Sequence, residues 1–461
     1  MTDAPSTAAL HDTVATTVAV RSDELLALSH AIHARPELAF AEHHASSLVA
    51  ERLTDAGFDV TVGVHGLDTA LRATYGSGDM NAVICVEYDA LPGVGHACGH
   101  NIIAAAGVGA AIAAANVADK LGIQVTVLGT PAEEHGGGKV LMLADGAWDD
   151  ATFSLMVHPY PADTWPTTTR MQAVHRLVVT FTGQGAHAAA APDQARNAAD
   201  AATIALVAVG LLRQQVRDGA RLNAIITEAG LVTNIIADRA VVEIEVREAT
   251  LEALQTLEGR VLACFEGAAI AAGVSWSVDE SEPLYADLVQ DEDLVEVFAG
   301  HLSARGRTLD RTAPPRSGGS TDMGNVSQVV PSIHPVVGVE GARGPIHTAE
   351  FAEAAGGPAG DRAVLDAAVA LASTIVDAAR DPRLRARLVD AQTERVRERA
   401  EAPGLRAAGW AGSAASNAVG SHGAVGAHSA DGADSAAGAD SAAGAADTSA
   451  EVSTLEPEVQ A

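Results

Sequence analysis

The sequence predicts an α/β protein in which a three-layer α/β/α unit with a mostly parallel sheet is interrupted by an inserted ferredoxin-like α+β unit. Apolar strand-like segments alternate with helical periodicity in the first third of the chain. In the middle, the order changes to strand–helix–strand–strand–helix–strand, which is the split βαβ pattern of a ferredoxin-like sandwich. Helix and strand patterns then alternate again, so we expect the first layer to resume.

The first unit opens with a helix that begins after Ser22 and is ended or kinked at Pro36. Its further expected elements are a helix at 45–56, a strand at 82–86, a helix at 102–118 and strands at 125–128 and 153–157. The segment 102–118 consists largely of alanine and glycine and is too weakly hydrophobic for a convincing membrane span. We therefore expect a packed core helix there.

The same patterns predict the remaining elements and the domain boundaries. The expected elements are a strand at 177–182, a helix at 197–216, strands at 225–226 and 240–246, a helix at 252–272, a strand at 274–278, a helix at 291–305, a loop at 314–325, a strand at 336–339 and a helix at 361–379. The main unit is thus expected at residues 21–171 and 284–390, and the inserted unit at residues 172–283.

The two ends of the chain are expected to lie outside these units. We expect residues 1–20 to form a flexible N-terminus. Residues 401–461 are mostly Ala, Gly, Ser and Asp and contain few bulky apolar residues to bury. This composition predicts a disordered tail.

Composition limits the classes of partner and compartment. The formal net charge of −30 argues against nucleic acid and anionic membranes as partners, because both are polyanions. The three cysteines lie far apart and form no disulfide framework; Cys85 and Cys264 are expected to be small buried hydrophobic residues. No basic start followed by an apolar stretch occurs between Met1 and Val20, so we expect no secretory signal and a cytoplasmic location.

The densest polar cluster is the segment Gly-His-Ala-Cys-Gly-His-Asn at 95–101. Cys98 and His100 lie two residues apart on a glycine-flanked loop that precedes a predicted helix. A thiolate and an imidazole at this spacing can face one metal ion. A helix-capping loop with an incidental histidine is the alternative, but three His or Cys residues in five favour a metal site.

A second cluster follows the strand at 125–128 and contains the adjacent carboxylates Glu133 and Glu134. Adjacent carboxylates repel unless a cation or a proton lies between them. One of them can bind a metal ion while the other takes a proton from water. A solvated acidic turn is the alternative. A phosphate-binding loop is excluded, because Val140 follows Lys139 and the glycine spacing is wrong.

Two more histidines, His158 and His347, also follow predicted strands. A lone histidine after a strand is usually only a polar residue at a sheet edge. Here four polar sites all follow the carboxyl ends of predicted strands, and in an open α/β sheet these ends meet in one crevice. The topology therefore predicts that the four clusters converge.

Taken in order, these motifs resemble the aminoacylase-type dinuclear metallopeptidases and amidohydrolases. The motifs are Asp-Ala-Leu-Pro at 89–92, His-Ala-Cys-Gly-His-Asn at 96–101, Pro-Ala-Glu-Glu at 131–134, His-Pro at 158–159, Ser-Thr-Asp-Met-Gly-Asn at 320–325 and His-Thr at 347–348. The resemblance covers roughly residues 22–385 and is nearest to the branch of aminobenzoyl-glutamate hydrolase and aminoacylase-like dipeptidases.

The resemblance implies a function and a set of catalytic roles. It implies hydrolysis of an amide bond in an N-acyl amino acid, an aminobenzoyl-glutamate-like compound or a dipeptide with a free carboxylate. Two divalent ions, zinc or manganese, would be held by Cys98, His100, Glu134, His158 and His347. Glu133 would act as the general base, and Asp89 would orient a ligand.

The resemblance also implies that the inserted unit is a lid and dimerisation domain of a homodimer. His187 would reach the active site of the partner and stabilise an oxyanion. Asn234 and Arg316 would hold the substrate carboxylate, for which an arginine fork is suited. Without the resemblance, His187 would be an exposed loop histidine and Arg316 a surface residue. Asn223-Ala224 and the segment 191–196 depart from the family pattern, so the resemblance does not extend to the acyl-side specificity.

Two other functions remain as alternatives. A single-metal deaminase also uses Cys and His ligands, but it needs a Pro-Cys-x-x-Cys segment that this chain lacks. A catalytically weak metal- or peptide-binding relative of the same fold would not need a base beside Glu134. The presence of Glu133 therefore favours an enzyme.

Overall fold

A computed structural model of the protein describes residues 5–165, 169–310, 316–317 and 319–401. The side chains of residues 169, 316, 317, 400 and 401 are not described. The predicted disordered tail lies outside the described residues from position 402 onward.

Fourteen strands occur in the described residues. In chain order they are β1 (Asp59–Val62), β2 (Leu71–Gly76), β3 (Met80–Val86), β4 (Ile123–Gly129), β5 (Phe153–Leu155), β6 (His158–Tyr160), β7 (Thr169–Arg170), β8 (Ala173–Thr182), β9 (Arg221–Glu228), β10 (Arg239–Glu248), β11 (Ser275–Glu280), β12 (Arg316–Ser317), β13 (Ser332–Ile333) and β14 (Val336–Gly338).

Twelve α-helices accompany them in the described part of the chain. They are α1 (Thr7–Val20), α2 (Ser22–Ala34), α3 (His43–Asp55), α4 (His100–Leu121), α5 (Gly138–Ala144), α6 (Ala198–Leu212), α7 (Leu251–Ala272), α8 (Glu292–Ala304), α9 (Met323–Ser327), α10 (Ala349–Ala355), α11 (Pro358–Arg380) and α12 (Pro382–Glu401).

The main sheet has six strands in the order β1-β2-β4-β3-β5-β13. The pairs β3–β4, β3–β5 and β5–β13 are parallel, and the outer strands β1 and β2 are antiparallel. All seven residues of β3 are buried, as expected for a central strand covered on both faces. The predicted α/β class with a mostly parallel sheet is confirmed.

Helix α4 lies at the centre of the main core. Gly107 lets it approach the sheet closely, because an added Cβ would lie 2.4 Å from Cγ1 of Val86. The helix ends at Gly122, whose φ of 61° is a left-handed conformation that glycine adopts without strain. It is long and apolar enough to cross a membrane, but 94% of its most apolar stretch is buried inside the protein. The expected core helix is therefore present.

The inserted unit is an antiparallel sheet in the order β11-β8-β10-β9, with helices α6 and α7 packed against it. It has a core of its own, in which the rings of Phe181 and Phe265 stack at 6.1 Å. Burial alternates along β8, which is typical of a sheet with one covered face. Thr250 caps α7 by accepting a hydrogen bond from the backbone N–H of Ala253.

The predicted flexible N-terminus is wrong for the described residues, because α1 occupies most of residues 1–20. Leu10, Val14 and Val18 recur every four residues and are buried in the main core. This short apolar stripe lies among threonines and alanines, so its amphipathic contrast is weak. The sequence patterns also gave no indication of β1, β2 and α12.

Candidate metal centre

The polar clusters follow strand ends and meet in space. Asp89 follows β3, and Glu133 and Glu134 follow β4. His158 differs from the expectation, since it begins the short strand β6, which pairs with β14 and not with the six-stranded sheet. His347 lies in the loop between β14 and α10. These elements bring the four clusters to one site.

Cys98 lies at the centre of the predicted ligands. Its Sγ is 3.3 Å from Nε2 of His158 and 3.4 Å from Nε2 of His347. Glu134 lies between His100 and His347. Its Oε2 is 3.5 Å from Nε2 of His347, and its Oε1 is 3.7 Å from Nε2 of His100. All five predicted ligand side chains therefore converge, with Cys98 common to two groups that could each hold an ion.

The backbone at this site adopts conformations that non-glycine residues rarely take. His347 has a φ of 68° and Ala132, just before the glutamate pair, has a φ of 61°. The backbone N–H of His347 donates a hydrogen bond to the carbonyl oxygen of Ala97, at 2.8 Å. Such strain persists only where surrounding contacts enforce it, and here it aims His347 at the cluster.

Asp89 is buried and holds two members of the cluster in place. Its Oδ1 lies 3.0 Å from Nδ1 of His100, and its Oδ2 accepts the backbone N–H of Glu134 at 3.0 Å. Burial alone would raise the pKa of Asp89, but the charge and hydrogen bond of His100 outweigh it and lower the pKa. The Nε2 atom of His100 is thereby left to face the ligands.

Glu133 lies beside the ligands and is almost fully buried. Its Oε2 is 3.9 Å from Nε2 of His100, and its carbonyl oxygen accepts a hydrogen bond from the Tyr285 hydroxyl at 2.8 Å. Burial, followed by the charges of Glu87 and Glu134, raises the pKa of Glu133 well above its ordinary value. A carboxylate with a raised pKa is suited to accept and return a proton.

The chemistry of the donor set fits divalent cations. Oε2 of Glu87, Nε2 of His100 and Oε1 of Glu134 are buried without a hydrogen-bond partner among the described residues. Burial and the charges of Glu134 and Glu133 raise the pKa of the Cys98 thiol well above its ordinary value. A cation at this position would satisfy the orphaned atoms and hold the sulfur as a thiolate.

A buried ion-pair network, which sequence reasoning missed, lies behind the cluster. The ammonium Nζ of Lys139 lies 2.5 Å from Oε1 of Glu87 and 2.7 Å from Oδ1 of Asp322. The backbone N–H of Lys139 also donates to Oδ2 of Asp322, at 2.8 Å. The available signal was that Lys139, one of only two lysines in the chain, directly precedes the apolar residues 140–144.

Predicted ligands line a cavity of about 580 Å³. The cavity is also lined by Arg170, Arg176 and Arg247, none of which sequence reasoning singled out, and the last two form ion pairs with Glu245. Nη1 of Arg247 lies 3.5 Å from Oγ of Ser320. The cavity therefore contains predicted metal ligands together with guanidinium groups, which can bind a carboxylate.

Two predicted site residues, His187 and Asn234, do not line this cavity, and the position of the Arg316 side chain is not described. His187 and Asn234 are exposed and adjacent, since the backbone N–H of Ala188 donates to the carbonyl oxygen of Asn234 at 2.9 Å. Nδ1 of His187 accepts backbone hydrogen bonds at 3.2 Å in its own loop. The backbone of Arg316 pairs with Thr169 in the parallel pair β7–β12, and its side chain lies outside the described residues.

The family model of peptidase family M20/M25/M40 matches residues 77–370, well over half of the chain. The chain belongs to this family. The predicted resemblance is therefore confirmed, and the protein is an enzyme of the metallopeptidase and amidohydrolase class.

Relatives within and around the M20/M25/M40 family agree with this assignment. The chain is 35% identical over 387 residues to the Xaa-Arg dipeptidase of Mus musculus, covering 79% of this chain and 87% of that protein. It is 32% identical over 255 residues to one of the chains of the p-aminobenzoyl-glutamate hydrolase of Escherichia coli, covering 51% of this chain and 53% of that one.

Solved structures share the fold of this family member at lower sequence identity. An aminohydrolase-like protein from methicillin-resistant Staphylococcus aureus aligns with a TM-score of 0.67 and 20% identity, covering 80% of this chain and 99% of its own. A dinuclear metal-binding peptidase of the M20 family from Bacillus subtilis aligns with a TM-score of 0.57 and 21% identity, covering 76% and 98%. These likenesses support the fold of the chain.

Proposed function

We propose that this enzyme hydrolyses the amide bond of a dipeptide or N-acyl amino acid that carries a free carboxylate. The observation that carries the proposal is the convergence of the five ligand side chains around buried, unsatisfied donor atoms beside Glu133. A catalytically weak binding relative is the alternative, and it would have no use for a buried carboxylate next to Glu134.

Two groups of side chains would hold the two ions. Cys98, His100 and His158 form one group, and Cys98, Glu134 and His347 form the other. Divalent ions bound there polarise a carbonyl and lower the pKa of water. The thiolate favours zinc among the candidate metals, although manganese suits the carboxylate and imidazole ligands as well.

Glu133 would move the proton in the reaction. Its carboxylate takes a proton from the attacking water as the water oxygen bonds to the scissile carbonyl carbon. The same carboxyl then gives that proton to the departing amine nitrogen as the C–N bond breaks. The hydrogen bond from Tyr285 fixes the backbone of Glu133, so the side chain stays on the ligand side of the cavity.

The substrate carboxylate would lie beside the arginines that line the cavity. Arg247 contributes a guanidinium there within reach of Ser320, and the sequence resemblance adds Arg316 and Asn234. The names of the relatives suggest the first substrates to test. Dipeptides with a C-terminal arginine come first, and p-aminobenzoyl-glutamate comes second.

The enzyme would work as a homodimer through the inserted unit. Ile204, Val207 and Leu211 lie on one face of α6 and are exposed, and Leu211 is 69% exposed. Strand β9 is an edge strand that exposes Ile225 at 60%. Such a combined apolar face and open edge is suited to pairing with a second copy. The pairing would carry His187 and Asn234 toward the second copy.

The three free cysteines suit a reducing compartment, so we propose a cytoplasmic enzyme. Cell fractionation would test the location, and sedimentation of purified protein would test the dimer.

The decisive experiment combines metal analysis with a substrate panel. Metal-stripped enzyme is reloaded with zinc, manganese or cobalt and assayed on Xaa-Arg dipeptides, N-acyl amino acids and p-aminobenzoyl-glutamate. We expect about two ions per chain and turnover that returns with metal. Activity in a preparation without metal would contradict the mechanism. Two bound ions without turnover on any amide would favour the weak-binding alternative.

A further inference from the structure

A second group of metal-type ligands lies on the surface, formed by helices α1, α8 and α11. Each helix supplies one residue, and these are His11, His301 and Asp377. None of them belongs to the candidate metal centre or to the cavity beside it. All three are half-buried, so an ion could reach them from solvent.

The donor atoms of this group point at one another. Nε2 of His11 is 2.9 Å from Oδ1 of Asp377, and Nε2 of His301 is 2.7 Å from Oδ2 of the same carboxylate. The two imidazole rings lie 4.8 Å apart at an interplanar angle of 82°. All the ligand atoms fall within 4.8 Å of one another.

Asp377 orients both histidines of this group. His301 makes an aligned hydrogen bond to the carboxylate. Nε2 of His11 faces Oδ1, the other oxygen of the same carboxylate, and, against the opposing effect of burial, both histidines lower the pKa of Asp377 by charge and hydrogen bonding. Each histidine thus turns one ring nitrogen toward the carboxylate, and a ring nitrogen that carries no proton can bind a metal ion.

The spacing is near that of a tetrahedral ion. Zinc holds nitrogen and oxygen ligands at about 2.0–2.2 Å, which separates two ligand atoms by about 3.3 Å. The two contacts to Asp377 would therefore open by about half an ångström. The side chains that must move are partly exposed and free to do so. Two imidazoles and one carboxylate are nitrogen and oxygen ligands that zinc accepts, and water would take the fourth position.

We propose that His11, His301 and Asp377 bind a further divalent ion, zinc in particular. The ion would link α1 to α8 and α11. The site is structural and separate from the catalytic ions. It stabilises the N-terminal helix, whose apolar side is buried through Leu10, Val14 and Val18. Binding to the folded state alone raises the free energy of unfolding when zinc is present.

The test measures zinc bound to the holoenzyme, in which the catalytic ions are already in place. Equilibrium dialysis of the wild type against micromolar zinc should show one additional ion per chain. His11→Gln and His301→Gln should each lose that ion. His30→Gln is the matched control, because His30 also contacts an aspartate, Asp361 at 2.7 Å, but lacks a third ligand. The control should bind zinc as the wild type does.

Thermal unfolding supplies a second measurement on the same proteins. Zinc added to the holoenzyme should raise the Tm of the wild type and of His30→Gln, and leave the Tm of His11→Gln and His301→Gln unchanged. The catalytic ion content and turnover should stay the same in all four proteins. An equal zinc count in wild type and His301→Gln would overturn the proposal. So would an equal Tm rise in those two proteins, since Asp377 would then only accept hydrogen bonds.

Discussion

The Oδ1 atom of Asp89 lies 3.0 Å from Nδ1 of His100, and both side chains are fully shielded from solvent. The contact fixes which nitrogen of His100 is free, because the ring can donate Nδ1–H to the carboxylate while Nε2 faces Glu134. A carboxylate in this position raises the basicity of a ligand histidine and holds its ring in one orientation.

Replacing Asp89 should weaken metal binding. Asp89→Asn replaces one carboxylate oxygen by an NH₂ group. Either the contact with His100 or the hydrogen bond from the backbone N–H of Glu134 is then lost. We expect the affinity for divalent ions to fall by about 10–100-fold. Competition with a chelator of known affinity measures this change.

The control for Asp89→Asn is Asp68→Asn, in which the same chemical change is made on an exposed residue. Its metal affinity should match that of the wild type. Unchanged affinity in Asp89→Asn would mean that Asp89 does not orient a ligand.

The two neighbouring glutamates should differ in what they contribute. In Glu133→Gln the ligands remain, so the metal content should stay at the wild-type level. Turnover should fall by about 10²–10⁴-fold, because the amide can neither accept nor return the proton. In Glu134→Gln a ligand is weakened, and metal should be lost together with turnover. Elemental analysis and steady-state kinetics on both variants measure the difference.

The pattern of these two losses decides the assignment. If Glu133→Gln lost its metal while Glu134→Gln kept it, the roles of the two residues would be exchanged. If both retained metal and turnover, neither would belong to the catalytic centre.

The convergence of the ligands was predictable because it follows from topology. Cys98 and Glu134 follow β3 and β4, which are parallel neighbours with their carboxyl ends at one edge, whereas His158 reaches the site from the start of β6. The identity of the inserted unit was predictable from the order of its strands and helices. Local chemistry and strand order were therefore enough to predict the α/β class and the convergence of the polar clusters.

The pairing of distant charges was not predictable in this way. Lys139 and Asp322 are 183 positions apart, and Glu87 is 52 positions from Lys139. The periodicity of apolar residues predicts which face of a helix or strand is buried. It does not predict which charged residues pair with each other across the core. The placement of His187 and Asn234 relative to a second copy likewise depends on a surface that one chain does not contain.

Removing Lys139 should destabilise the fold strongly. Its ammonium is fully buried between Glu87 and Asp322, and Lys139→Met would leave two buried carboxylates without their cation. Removing one partner of a buried ion pair lowers the free energy of unfolding by about 3–5 kcal/mol. We expect a decrease of this size in the free energy of unfolding, measured by urea titration with the metal content held constant.

Lys120 is the other lysine in the chain and gives a matched control. It is exposed on α4, so Lys120→Met should change the free energy of unfolding by no more than about 0.5 kcal/mol. Equal effects of the two substitutions would show that the buried network contributes nothing beyond the loss of a lysine.

Mixing two inactive variants tests whether the active site is shared between the two copies of a dimer. In His187→Ala the base is intact, and in Glu133→Gln the lid histidine is intact. If His187 acts on the other copy's site, a mixed dimer contains one complete site out of two. After exchange of chains in an equal mixture, half of the dimers are mixed, so activity should recover to about a quarter of the wild-type value.

The control mixes His187→Ala with the double variant Glu133→Gln/His187→Ala, in which no pairing brings an intact Glu133 together with an intact His187. That mixture should stay inactive. Recovery in the first mixture and not in the second requires that Glu133 of one chain works with His187 of the other. Absence of recovery, with exchange verified by differently tagged chains, would mean that the exposed His187 takes no part in the other copy's site.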